Sequence, residues 1–452
     1  MIKCSGVLFA KILRNLKQLD YTGYTDQYPP FGSWQDLKDK NETVINSWTA
    51  AIKDKHPIDL FVNVPFCKIK CAFCFLPVIC TGHNRENIDK AFDTYLKYLE
   101  KEIFLLAPIF KKRTLNSLYL GGGTPSMMNV KQIEKFFIIL RKNFKFSHNA
   151  QMLIEISPEI GLAEIKAFKK CGVNRLCIGV QTMDQKTLNK VQRTQKNHSF
   201  ERTYKLAQKT GIKKINVDLI CGLPNQSDES FIYDLKAVAL LKPDQIHLNI
   251  FAATPYTIYS IKGGKPINET KIKDLRNRGF DILFKLGYKK LDSDSVGLTL
   301  NSKNFQTSDL RDKKSLLGIG VGSVSRAWSK LRYINTINWA KYRKDLDEKK
   351  LPVKTGAQTS VKDEMIHFIL ESLNFEPAVL LFKDFKKTFK KDLTLMFPNE
   401  LKELKRQGVF VDNKSIKMDK NQWSIIRKVF FQPEIILNYS KQAKRLPKPK
   451  NL

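Results

Sequence analysis

Three cysteines in one short run constrain this chain more than any other feature. They lie in Pro65-Phe66-Cys67-Lys68-Ile69-Lys70-Cys71-Ala72-Phe73-Cys74, with the spacing C-x3-C-x2-C. A loop with three closely spaced thiolates can hold three irons of a [4Fe–4S] cluster. It could also form part of a structural zinc site, but such sites usually close with a fourth Cys or His in a second pair. No such pair follows at that spacing, so the iron–sulfur reading is favoured, with a fourth iron left without a local cysteine. The segment Leu60-Phe61-Val62-Asn63-Val64 just before the loop reads as a buried strand. The cysteines therefore follow the end of a strand.

The other cysteines are Cys4, Cys80, Cys171, Cys177 and Cys221, and Cys177 and Cys221 fall in strand-like apolar runs. They do not form a disulfide framework, and a cluster of this kind needs a reducing setting, which points to a cytoplasmic protein. No apolar run reaches the roughly 18–20 residues of a membrane span. The stretch Met1 to Leu19 mixes Lys and Arg through short apolar segments without a small-residue cleavage site, and reads as a helix rather than a signal peptide. The net charge of +34, from 78 basic and 44 acidic residues, raises a nucleic-acid partner or a substrate bearing several carboxylates. The lysines are dispersed, however, with local clusters only at Lys386-Lys387, Lys390-Lys391 and in the tail from Lys441 to Lys450. The charge thus reads as a solvated lysine-rich surface, and a nucleic-acid partner is disfavoured.

Beyond the loop, strand-like and helical patterns alternate at the intervals of βα units. The strand-like runs are Asp59–Val64, Ser117–Leu120, Met152–Ile156, Arg175–Gln181, Ile215–Ile220 and Gln245–Phe251. Helical patterns cover Ile88–Leu106, Val130–Lys142, Leu162–Lys170, a split segment from Asp184 to Thr210, and Glu229–Leu241. Six such units predict an α/β fold with a partial (β/α)6 barrel, whose chemistry sits at the carboxyl ends of the strands. Lys362 to Gln407 reads as mostly helical, and Gly408-Val409-Phe410-Val411-Asp412-Asn413-Lys414 begins a hairpin, so a winged-helix-like C-terminal domain is expected. The expected division is an N-terminal extension over 1–50, the barrel over 51–335, the helical domain over 336–440 and a basic, disordered tail over 441–452.

Several motifs fall at strand ends. Gly121-Gly122-Gly123-Thr124-Pro125 follows the second strand, and its glycines let backbone N–H and C=O groups approach a ligand. Glu155, in Ile154-Glu155-Ile156-Ser157-Pro158-Glu159, can accept hydrogen bonds from hydroxyls or an amine. Then come Gly179-Val180-Gln181, Arg193, Asn216-Val217-Asp218-Leu219-Ile220-Cys221-Gly222-Leu223-Pro224 and Phe251-Ala252-Ala253-Thr254-Pro255. In order and spacing these resemble the oxygen-independent coproporphyrinogen III oxidase family of radical S-adenosylmethionine (SAM) enzymes, with its haem-utilisation, haem-chaperone and methyltransferase relatives. The resemblance runs from about Tyr21 to Leu437 and is most specific between Phe61 and Pro224.

The resemblance implies that Cys67, Cys71 and Cys74 hold the cluster and that SAM binds the open iron. Gly122, Gly123 and Thr124 match the segment at the methionine amine. Glu155, Gln181, Arg193 and Asp218 match further SAM-binding positions, and Phe73 and Ala252 match positions beside the adenine. Asn304-Phe305-Gln306, followed by Leu316-Leu317-Gly318-Ile319-Gly320-Val321-Gly322-Ser323-Val324, is similar to a second-SAM region, where Phe305, Gln306 and Val324 match contacts to a second SAM or the substrate pocket. Gly318 and Gly320 are equally consistent with a turn at a strand end. Three positions depart from the oxidases: Leu76 replaces a further cysteine, Phe61 a tyrosine that reaches the SAM carboxylate, and Asn63 a histidine. The haem-binding motif of the chaperones is also absent, Lys303-Asn304-Phe305-Gln306 standing in its place.

The implied activity is hydrogen abstraction from a tetrapyrrole-type substrate by a 5′-deoxyadenosyl radical, followed by oxidative decarboxylation. The alternatives are radical methyl or methylene transfer using a second SAM, and haem trafficking without turnover. Implied partners are a small carboxylate-bearing substrate and a flavodoxin- or ferredoxin-like electron donor. Cys80 reads as a buried loop cysteine, with a catalytic thiol or a fourth cluster ligand as the alternatives. His83 and His247 are lone histidines, expected to be satisfied locally rather than metal-bound.

Overall fold

Six parallel strands carry the framework: β1 (Ile58–Val64), β2 (Thr114–Gly122), β3 (Lys145–Ile156), β4 (Arg175–Gln181), β5 (Lys214–Cys221) and β6 (Gln245–Ile250). They lie side by side in chain order, and each matches a run expected from the sequence. The computed structural model describes residues 28–196, 198–254, 257–265, 267–304, 313–374, 378–419 and 422–431. The expected helix over Met1–Leu19, the tail over 441–452, and Phe305 and Gln306 lie outside the described residues.

The connecting helices form for local reasons and bury one face each. In α2 (Arg85–Phe110), which follows α1 (Lys40–Ala51), the Asn84 side chain caps the first turn by accepting from Asn87 N at 3.0 Å. Ile88, Phe92, Tyr95, Leu96, Leu99, Ile103, Leu106 and Phe110 then recur at helical spacing and are buried against the sheet. A reciprocal capping box between Asn129 and Gln132 starts α3 (Val130–Asn143). The layer continues with α4 (Leu162–Lys170), α5 (Gln185–Lys190), α6 (Ser199–Lys209), α7 (Asp228–Leu240) and α8 (Glu269–Lys285).

The sheet extends beyond the six units on both sides. At one edge lie two short strands, β7 (Lys289–Lys290) and β8 (Ser295–Gly297), with β8 antiparallel to β6. At the other, β9 (Ser315–Gly320) runs parallel to β1 and is followed by antiparallel β10 (Val324–Ala327), β11 (Leu331–Asn335) and β12 (Val353–Gln358). The order across all twelve strands is β12-β11-β10-β9-β1-β2-β3-β4-β5-β6-β8-β7. Gly318 and Gly320 belong to this packing: a Cβ on Gly318 would collide with the Val324 carbonyl, and one on Gly320 would meet the Asn63 carbonyl.

After α9 (Trp339–Asp347), α10 (Val361–Asn374) opens a second apolar core of Met365, Ile369, Leu373, Phe385, Leu404, Ile416 and Ile426. Around it lie α11 (Phe382–Phe389), α12 (Pro398–Arg406), α13 (Trp423–Phe430) and an antiparallel sheet of β13 (Val379–Leu381), β14 (Phe410–Val411) and β15 (Ser415–Lys417), in the order β13-β15-β14. This is the helical, winged-helix-like domain expected from the sequence. Glu364 of α10 fastens it to the large sheet by accepting from Arg326 at 2.5 Å, Arg332 at 2.8 Å and Ser329 N at 3.1 Å.

Candidate active site

The cysteine loop is pinned at the carboxyl ends of the strands by backbone hydrogen bonds from four directions. Gly123 N donates to Val64 O at 2.6 Å and Thr124 N to Phe66 O at 2.7 Å. Thr81 N donates to Cys67 O at 2.9 Å, Ala72 N to Val191 O at 2.8 Å, and Tyr259 N to Ala72 O at 3.0 Å. Gly122 has φ +99°, and a Cβ there would collide with Asn63 Oδ1. Glycine at this position lets the end of β2 close against the end of β1, from which the cluster loop departs.

Cys67, Cys71 and Cys74 line one chamber of about 950 Å³ together with Phe73, Gly122, Gly123, Thr124, Glu155, Gln181, Arg193, Asp218 and Ala252. Thr124 Oγ1 lies 3.3 Å from Cys67 Sγ, and Arg193 Nη1 donates to Cys71 Sγ at 3.8 Å. Arg193 is held by Gln195 Oε1 at 2.6 Å and by the Gly179 carbonyl. Gln181 sits at φ +67°, beside a register shift between β4 and β5. A non-glycine residue in the left-handed region at a bulge is strained, and such strain concentrates at working sites. Its Oε1 is buried with no hydrogen-bond partner.

The walls are built strand by strand. Tyr119 on β2, Glu155 on β3, Cys177 on β4, Asp218 on β5 and His247 on β6 all line the chamber. Glu155 pairs across to Cys177, and Asp218 to His247. Glu155 accepts from the Tyr119 hydroxyl and from Gly122 N at 3.0 Å. Burial pushes its carboxyl up to about 7, against the Tyr119 hydrogen bond and with help from the Asp218 charge. Asp218 accepts from Cys177 Sγ at 3.3 Å and lies 3.0 Å from His247 Nδ1. His247 is thus satisfied locally at one nitrogen, as expected of a lone histidine, but Nε2 is buried without a partner.

Three residues singled out in the sequence fall elsewhere. Phe61 lies beneath the chamber floor, stacked on Tyr119 at 5.5 Å between ring centres. Val324 is buried on β10 and is not part of the chamber lining. Cys80 is exposed, on a short strand opposite Cys67. Asn63, at one of the departures, donates its amide to Val321 O and so ties β1 to the segment after β9. Sequence reading missed Tyr119, Cys177, Asn249, Arg276 and Asp294 in the lining. The signal for Tyr119 and Cys177 was their place on strands already recognised; Arg276 comes from a helix that carried no motif.

The donor set fits a cluster. Among the described residues, no three His, Cys, Asp or Glu side chains meet closely enough to hold a single metal ion. A [4Fe–4S] cluster asks instead for one thiolate per iron, spread around a wider volume. Burial pushes the Cys67 thiol up to about 12 and also raises Cys74. These sulfurs need the positive charge of bound metal to be thiolates at neutral pH.

Residues 63–238 match the family model of the radical SAM superfamily. The oxygen-independent coproporphyrinogen III oxidase of Escherichia coli (strain K12) is 30% identical over 402 residues, covering 83% of this chain and 85% of that protein. The solved structure of coproporphyrinogen III oxidase (HemN) from Escherichia coli, described as a radical SAM enzyme, superposes with a TM-score of 0.77 at 26% identity, over 92% of this chain and 97% of that one. The heme chaperone HemW of Buchnera aphidicola (subsp. Schizaphis graminum) is 32% identical over 243 residues, 53% of this chain and 62% of that protein. Fold and site together define a radical SAM protein, with a [4Fe–4S] cluster and SAM as its cofactors. Within that class, the chain belongs to the oxygen-independent coproporphyrinogen III oxidase-like family. No helix among the described residues is long and apolar enough to cross a membrane.

Proposed function

We propose that this protein is a radical SAM oxidoreductase of tetrapyrrole metabolism that removes a hydrogen atom from a propionate-type side chain and releases its carboxylate as carbon dioxide. The observation that carries this reading is the extent of the match to the oxidase structure, 92% of one chain and 97% of the other, which takes in the C-terminal domain as well as the barrel. Bound in the chamber, the cluster and SAM supply a one-electron cleavage to methionine and a 5′-deoxyadenosyl radical.

The chain's own residues bind, orient and exclude water. Cys67, Cys71 and Cys74 each hold one iron. The backbone at Gly122 and Gly123, with the Thr124 hydroxyl, receives the methionine end of SAM. Glu155, Gln181, Arg193 and Asp218 take its polar groups, and Phe73 and Ala252 lie along the adenine. The unmet Gln181 Oε1 supports this assignment, because a buried acceptor without a donor is satisfied when a ligand supplies one. Removal of the hydrogen atom would leave a carbon radical next to the carbon that bears the carboxylate. Cleavage of the bond to carbon dioxide would form the carbon–carbon double bond and pass one electron to an external one-electron acceptor of the flavin or iron–sulfur class, while a flavodoxin- or ferredoxin-like protein would supply the electron that starts each cycle.

Leu76, Phe61 and Asn63 depart from the standard oxidases, and the alternative reading is that a second SAM donates a methyl or methylene group. Anaerobic incubation of the reconstituted protein with reductant, SAM and coproporphyrinogen III, followed by mass spectrometry, decides between them. Decarboxylated product with 5′-deoxyadenosine and no S-adenosylhomocysteine is the expected result. Labelled methyl in the product with S-adenosylhomocysteine would establish the second reading, and stoichiometric haem binding without SAM cleavage would establish haem trafficking.

A further inference from the structure

One half-buried histidine lines the chamber among the side chains assigned to the cluster and SAM. His247 stands on β6 directly across from Asp218 on β5, with Nδ1 3.0 Å from Asp218 Oδ1. A carboxylate only accepts, so Nδ1 carries a proton and Nε2 is the free end of the ring. Nε2 is buried, belongs to a chamber-lining residue and meets no hydrogen-bond partner. Such a nitrogen is costly unless something entering the chamber pairs with it.

The surrounding charges set what it would pair with. Asp218 faces the ring from β5, Asp292 and Asp294 from the turn between β7 and β8, and Glu155 from β3. Arg276 of α8 also lines the chamber; its Nη1 is paired with Asp294 at 2.5 Å, while its Nε is buried without a partner, so it is the other donor that the His247→Gln test must tell apart. Arg193 is committed to Gln195, the Gly179 carbonyl and Cys71. Burial works to strip the proton from His247, yet Asp218, then Asp292 and Asp294, outweigh it and hold the imidazole above its ordinary 6.5. An imidazole whose cationic form is favoured, with one unpartnered N–H on a residue that lines the chamber, is a donor for an anion.

We propose that His247 is a substrate-binding residue: its Nε2–H receives one carboxylate of the substrate, while Asp218 fixes the ring and shares its charge. This rests on the reading that the substrate bears carboxylates. Asp218 then stands between the SAM groups and the substrate group, so that one side chain sets the position of both partners in the hydrogen transfer.

The test titrates anaerobic, cluster-loaded protein with coproporphyrin III, a stable tetracarboxylate, and with its tetramethyl ester, following fluorescence. Wild type should bind the acid more tightly, by about tenfold or more for a charge-assisted hydrogen bond. Its affinity for the acid should fall as pH rises through the imidazole pKa, above 6.5. In His247→Gln the preference and the pH dependence should both collapse. The pH dependence should persist in Glu155→Gln, which separates His247 from Glu155, whose carboxyl burial pushes up to about 7. Wild type that does not distinguish acid from ester overturns the carboxylate-substrate reading itself. A preference retained in His247→Gln overturns the role of His247 alone. If that variant fails to load its cluster, the wild-type profile decides: a flat profile from pH 6 to 9, or one lost in Glu155→Gln, overturns the proposal.

Discussion

Two glutamates, the fully buried Glu102 and the half-buried Glu155, are each driven up to about 7 by desolvation, yet they sit in opposite kinds of surroundings. Glu102, on α2, is surrounded by donors: Gly320 N at 2.8 Å, Tyr342 Oη at 2.5 Å and Asn335 Nδ2 at 2.6 Å. It ties the helix layer to β9 and β11, and its neighbourhood is closed. Glu155, on β3, receives only the Tyr119 hydroxyl and Gly122 N, and it opens on a chamber where Gln181 Oε1 and His247 Nε2 have no partner. A buried carboxylate is thus no mark of function by itself. What distinguishes the working site is unmet valence in the groups that share its cavity.

The strongest way to break this comparison is to remove what the open chamber is built to receive. Cys67→Ala, Cys71→Ala or Cys74→Ala should each abolish the cluster and 5′-deoxyadenosine formation, read from iron and sulfide content and from product analysis. Zinc without sulfide in the wild type would sink the assignment.

The closed site should fail differently. Glu102→Ala strands three donors and should lower stability by about 3 kcal/mol, measured as a fall in the thermal midpoint, while SAM cleavage per cluster persists below the transition. The pH sign also follows. Folded Glu102 holds its proton up to about 7, against 4.5 in the unfolded chain, so its contribution to stability is complete below 4.5 and is lost as pH rises through 7. Glu102→Gln should flatten that part of the stability profile.

Glu155→Gln should spare stability and cost SAM affinity by about ten- to a hundredfold, the range of one hydrogen bond to a charged group. Because the carboxylate forms only above about 7, wild-type SAM affinity should fall as pH drops below that value and stay level in the variant. A thermal midpoint lowered as far as in Glu102→Ala would erase the distinction between the two sites. The smallest effect is expected at Cys80. Exposed and outside the chamber lining, it should change to Ala with no loss of iron, sulfide or cluster absorbance, and a changed spectrum would make it a ligand.

How far the sequence could be read follows from where each signal resides. The six parallel strands were legible because strands covered on both faces read as short apolar runs between helical patterns; β1 is buried along nearly its whole length. Among the chamber residues, Glu155 was legible from its place near a strand's end, and Gln181, Arg193 and Asp218 through the resemblance of their motifs to the family. Gly318 and Gly320 were not: read beside a second-SAM region, they make room for Val324 and for Asn63, the latter more than two hundred residues earlier in the chain. Phe61 shows the same limit, since its place beneath the floor depends on Tyr119 of the neighbouring strand.

The sequence by itself determined the cysteine loop and the βα alternation, because each is written in local spacing, and the candidate SAM residues were named through the resemblance of their motifs to the family. Only the tertiary structure decided which buried polar groups are paired and which are left open. Hydrogen-bond satisfaction at Glu102, Glu155 and His247 depends on partners brought from other strands and helices, and no local pattern in the chain records whether those partners arrive.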